Sequence, residues 1–71
     1  MQPDLNLLKA LIADHTDEIE RAVAGTGYLP RTVIGVAVFL LDNEGNLDLL
    51  TAKQRVTFDR FLQPLLDNRR R

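Results

Sequence analysis

No cysteine and no serine occur among these 71 residues. The missing cysteine removes disulfides and thiolate metal cages. Both absences together remove Ser-His-Asp and Cys-His nucleophilic catalysis. Histidine occurs once, at His15, and a single His without Cys makes no recognisable metal site. Long apolar runs are missing as well. The longest, Val33–Leu41 (VIGVAVFLL), falls far short of the roughly 20 residues that cross a bilayer. The stretch MQPDLNLLKALIADH has no basic segment ahead of an apolar core, which argues against a signal peptide. The expected setting is the cytoplasm, with which the lack of Cys agrees, and no membrane partner is expected.

What is present points to one small globular domain. Apolar residues make up 45% of the chain, as in folded proteins rather than disordered ones. Ordering so short a chain costs on the order of 100 kcal/mol, so nearly every apolar side chain must find cover. With disulfides and thiolate metal sites gone, oligomerisation is the remaining staple for a domain of this size. The net charge is −1, but it is unevenly spread. Residues 1–24 and 25–50 are acidic, at −3 and −2, whereas residues 51–71 carry +4. Such asymmetry suits either an anionic partner for the C-terminal end or attraction between segments within the fold.

The periodicity predicts an all-α domain of three helices, at about 4–24, 30–43 and 51–66. In the first, Leu5, Leu8, Ile12, His15, Ile19 and Ala22 form one helical stripe, which Leu11 and Val23 widen. Asp4 after Pro3 suits an N-cap, and Gly25 and Gly27 suit a stop. A break at Asp14–Asp17 is the lesser alternative to one continuous helix. In the second segment, β-branched residues favour a strand by propensity. A run without polar alternation, however, would need cover on both faces. As a helix it has Pro30 in its first turn, Gly45 just past its end, and Val33, Ile34, Ala37, Leu40 and Leu41 on one face. The opposite side then holds Arg31, Gly35, Val38, Phe39 and Asp42. The alternative is α+β, with a hairpin 33–41/47–50 between two helices.

The third helix opens with the strongest local signal. Thr51-Ala-Lys-Gln54 reads as a capping box. Phe58, Phe61, Leu62, Leu65 and Leu66 then follow at i, i+3, i+4, i+7 and i+8. Pro64 predicts a kink or stop near Gln63, with residues 68–71 frayed. The segment LLTAKQRVTFDRFLQPLL, Leu49–Leu66, resembles the C-terminal part of small uncharacterised bacterial helical proteins with an L-T-x-x-Q-x-x-x-F-x-x-F-x-x-P-L-L pattern. The resemblance implies a helical fold and a bacterial source, and it brings no catalytic residue.

The segment LDNEGNLD mimics a calcium loop. An EF-hand needs Gly at position 6 and Glu at position 12. Starting at Asp42 puts Leu47 and Lys53 there, while aligning Gly45 as sixth puts Leu40 first and Thr51 twelfth. Neither register supplies the ligands. The segment reads as a helix end followed by a loop that Leu47, Leu49 and Leu50 anchor to the core. Gly25-Thr-Gly27 lacks the spacing and Lys of a phosphate loop and reads as a turn. His15 reads as a partly buried or boundary side chain, and the acid pairs of the first helix as a solvated face.

The function expected from these residues is a non-enzymatic interaction or regulatory module without cofactor or metal. Three short helices leave little to enclose the second one, so Val38 and Phe39 are the candidate self-association residues, in a two-fold dimer or with an unknown protein partner. The alternative is a nucleic-acid-binding regulator, with Lys53, Arg60, Arg69, Arg70 and Arg71 as candidate anionic-partner contacts.

Overall fold

Asp4 opens the first helix through its carboxylate. In the computed structural model of the chain, which describes residues 3–69, Asp4 accepts from the Asn6 and Leu7 N–H groups at 2.9 and 3.2 Å. Helix α1 (Leu5–Asp14) buries Leu8 and Leu11. It does not continue to residue 24. His15 turns out of helical geometry at φ −131° and ψ 33°. Its N–H closes α1 on the Leu11 carbonyl, and its own carbonyl accepts from Glu18 at the start of α2 (Thr16–Val23). The expected continuous helix is therefore two. Asp14, His15, Thr16 and Asp17 are all weak helix formers. An unbroken helix would also carry the imidazole into the core on the stripe of Leu8 and Ile19. The break leaves the His15 side chain 39% exposed, with Nδ1 3.3 Å from Glu18 Oε2, so it is the boundary residue expected.

α2 stops at Val23 as the glycines predict. Gly25 and Gly27 sit in the left-handed region at φ 76° and 83°. Between them the Thr26 hydroxyl donates to the Val23 carbonyl at 2.6 Å and accepts from the Tyr28 N–H at 3.2 Å. Helix α3 (Pro30–Asp42) then buries Val33, Val36, Ala37 and Leu40. Ile34 and Leu41, expected on the same face, pack half-buried at its edge. The hairpin alternative is overturned: 33–41 is helical, Leu47–Leu49 forms a 3₁₀ turn, and no strand occurs among the described residues. A strand apolar on both faces would need two covering layers, whereas one helix turns four of these residues to a single core.

α3 ends in a Schellman motif. The Gly45 N–H donates to the Leu40 carbonyl at 2.7 Å, and the Glu44 N–H to Leu41 at 3.4 Å. The first left-handed residue is Glu44 (φ 57°), with Gly45 following at φ 76°. Gly45 is buried: a Cβ there would lie 3.0 Å from Leu5 Cδ2 and 3.4 Å from Pro3. Of the three leucines expected to anchor the loop, Leu47 and Leu50 pack on the core, while Leu49 is 51% exposed. The short 3₁₀ turn can direct only part of this apolar set inward.

The capping box at Thr51 is complete. Its hydroxyl accepts from the Gln54 N–H at 3.1 Å, and its N–H donates to Gln54 Oε1 at 2.9 Å. Thr51→Ala should lower the unfolding free energy by about 1 kcal/mol, the usual value of such a cap, read from a urea titration. Helix α4 (Ala52–Thr57), a π-helical segment (Phe58–Leu62) and α5 (Gln63–Arg69) then run without a break from 52 to 69. Of the kink or stop expected near Gln63, the stop does not occur, and the α-helix instead changes to π geometry just ahead of the proline. In an α-helix the Pro64 ring would press on the Arg60 carbonyl. Here the turn before it is widened, with the Gln63 N–H reaching back to the Phe58 carbonyl, which opens room for the ring. Nor do Asn68 and Arg69 fray: both are helical, and the Arg69 guanidinium pairs with Glu18 of α2. Arg70 and Arg71 lie outside the described residues.

α3 is central to the packing. It contacts α1, α2, α4 and the π segment, while α5 packs against α1. Phe58, Leu8, Leu11, Ile19, Leu40 and Leu62 are the largest fully buried side chains. The one buried polar side chain among the described residues, Thr57, donates its hydroxyl to the Lys53 carbonyl at 3.2 Å. The radius of gyration is 11.0 Å.

Candidate interaction surfaces

Two surfaces carry chemistry that the core does not use. The first is the outer side of α3. A helix that turns Val33, Val36, Ala37 and Leu40 inward must present residues 31, 35, 38 and 42 outward, and Arg31, Gly35, Val38 and Asp42 are all exposed. Val38 is 41% exposed. Phe39 is half-buried, yet it is not among the described apolar side chains that pack on the core cluster. Gly35 leaves a recess beside Val38, since a Cβ there would meet nothing within 4 Å. Arg31 and Asp42 stand near the two ends, and neither joins an ion pair among the described residues. α3 itself has no acid in its first turn and no base in its last.

The second surface lies where the Gly25–Pro30 turn meets the C-terminal helix. Tyr28 stacks edge-on against Phe61, with ring centroids 4.8 Å apart. The Arg60 guanidinium lies over both rings, at 5.5 Å and 5.3 Å. Beside Tyr28 a shallow open hollow of about 360 Å³ is lined by Thr26, Gly27, Leu29, Thr32 and Lys53. Leu29 and Val56 are exposed to 51% and 53%. Neither residue stands out in the sequence. Leu29 precedes a helix-opening proline and Val56 falls off the apolar stripe, and that misplacement is the signal that marks them. The lining combines an apolar wall, threonine hydroxyls and a cation, with no carboxylate or imidazole.

The candidate anionic-partner residues divide. Lys53 and Arg60 are exposed and both neighbour Tyr28. Arg69 is committed to Glu18, with the pair about a quarter exposed and its Nε buried without a partner. Arg70 and Arg71 fall outside the described residues. Arg55, also basic, is tied to Asp59 at 3.1 Å. Glu18 therefore sits between His15 and Arg69, joining the α1–α2 break to the end of α5. Among the described residues no three His, Cys, Asp or Glu gather as a metal site would require, and no helix is long and apolar enough to cross a membrane. Comparison with protein-family models, curated proteins and solved structures found no match.

Proposed function

We propose that this chain is a non-enzymatic interaction module of regulatory type, acting in the cytoplasm through the outer face of α3. The observation that carries the reading is Val38, 41% exposed in the middle of the helix that is otherwise the centre of the fold. Phe39 beside it remains half-buried without joining the core. Val38 and Phe39, adjacent on the outer side of one helix, together offer a small apolar contact surface. The anionic-partner alternative keeps Lys53 and Arg60, but the engagement of Arg69 with Glu18 and the net charge of −1 favour a protein partner.

The test is affinity capture from the native cells, with the tagged chain and its Val38→Asp variant as baits. Val38 is exposed enough for the variant to keep its helicity and melting temperature. Protein retained by the unaltered bait should fall at least about tenfold with the variant, as when a contact residue at the centre of an interface is lost. Equal retention by both baits would remove α3 from the proposal. Retention of nucleic acid that weakens steeply with salt would favour the anionic-partner alternative.

A further inference from the structure

We infer that the partner of the α3 face is a second copy of this chain, docked antiparallel about a two-fold axis that passes midway between Val36 and Ala37. This rests on the reading of that face as a contact surface and specifies its occupant. Arg31, Gly35, Val38 and Asp42 follow one another at spacings of 4, 3 and 4, a pattern that is the same length read from either end. On a helix these positions form one narrow stripe. Reversed about its midpoint, the stripe sets Arg31 opposite Asp42 of the second copy, and Val38 opposite the recess at Gly35. Both matches occur twice by symmetry, as an isologous interface requires.

The charges are placed against the helix dipole, and a second copy would correct this. A helix is stabilised by acids near its N-terminus and bases near its C-terminus. α3 has the reverse, Arg31 in its first turn and Asp42 at its end, and no compensating charge of its own at either end. Both charges are exposed and outside any ion pair among the described residues. The antiparallel copy brings an acid to the N-terminal end of α3 and a base to its C-terminal end. Gly35 is equally costly in isolation, since a helix interior without a side chain is disfavoured. No neighbour within the chain needs the space. Opposite Val38 of a second copy, the missing side chain is the seat for an apolar knob. Phe39, half-buried and off the core, flanks the stripe and widens the contact.

One helix face buries less than a standard interface, so the dimer is expected to be weak, with Kd of about 10–100 µM. Sedimentation equilibrium on the purified chain up to about 500 µM reads it directly, since occupancy at that concentration exceeds half for such a Kd. Arg31→Asp and Asp42→Arg should each raise Kd at least about tenfold by opposing like charges, and the double variant should restore it to within about threefold. Gly35→Leu should abolish the dimer while the melting temperature of the monomer holds or rises, because Leu is the better helix former. A monomer at the highest concentration would overturn the second-copy proposal, whereas the interaction-module reading answers to the bait experiment. Single variants that dissociate without rescue by the double variant, or a Gly35→Leu chain that dimerises as well as the original, would overturn the register.

Discussion

Phe58→Ala should cost about 3–5 kcal/mol and bring the chain to the edge of unfolding. Phe58 is fully buried, and it stands where α4 passes into the π-helical segment. That segment packs on both α2 and α3, and Phe58 belongs to the one core cluster they share. Removing it forfeits the transfer free energy of the ring and leaves a cavity that the surrounding helices can only partly close. A domain of this length has about 4–10 kcal/mol of stability in total. The variant should therefore lose about a third or more of it, and its melting temperature should fall by roughly 12 °C or more. Circular dichroism melts and urea titrations check this. Val56→Ala, on the same helix but 53% exposed, should stay within about 0.5 kcal/mol of the parent.

Gly45→Ala is the second large effect, expected at about 2 kcal/mol. The residue combines two constraints that glycine alone meets. Its φ is 76°, a left-handed conformation that costs an L-residue about 1–2 kcal/mol. In addition, a Cβ would lie 3.0 Å from Leu5 Cδ2, closer than side chains rest. Gly25, at the same φ of 76°, has nothing within 4 Å of a built Cβ. Gly25→Ala should therefore lose only the backbone part, about 1 kcal/mol, and the difference between the two variants measures the crowding against α1. Glu44 makes the converse test. It is the non-glycine residue at positive φ in the same cap, so Glu44→Gly should raise stability by up to about 1 kcal/mol. Chemical denaturation of the three variants beside the parent decides all of these values.

The fold was legible wherever local chemistry sufficed. The Asp4 cap, the glycine stop after α2, Pro30 in the first turn of α3 and the capping box at Thr51 all act within a few residues, and all appear as read. Four of the five positions expected outward on α3, Arg31, Gly35, Val38 and Asp42, are exposed, whereas Phe39 is half-buried and Val36, left out of the expected inner face, is buried. What sequence reading missed depends on contacts between segments distant in the chain. The break at His15, the lesser alternative in the sequence, is masked there because the apolar stripe runs on through it, and only the fold shows that an unbroken helix would carry the imidazole into the core. The continuation through Pro64 depends on a widened turn that brings Leu62 and Leu66 to the core on either side of the proline.

The candidate sites divide in the same way. Val38 and Phe39 could be named from helical periodicity, but Tyr28, Leu29 and Lys53 stand together only because the Gly25–Pro30 turn lands beside the C-terminal helix. Arg69 read as a candidate contact for an anionic partner, with attraction between the acidic and basic segments as the other reading, and folding delivers it to Glu18, fifty-one residues away. By itself the sequence determined that the chain is helical, how α1, α3 and α4 open, and that Arg31, Gly35, Val38 and Asp42 face outward on α3. Those outcomes are set by backbone hydrogen bonds and side chains within about one or two helical turns of each other. Tertiary structure alone decided which charges are spent inside the molecule and which remain on its surface. An ion pair forms between whatever side chains the packing brings within reach, and that reach is not written in the spacing of either one.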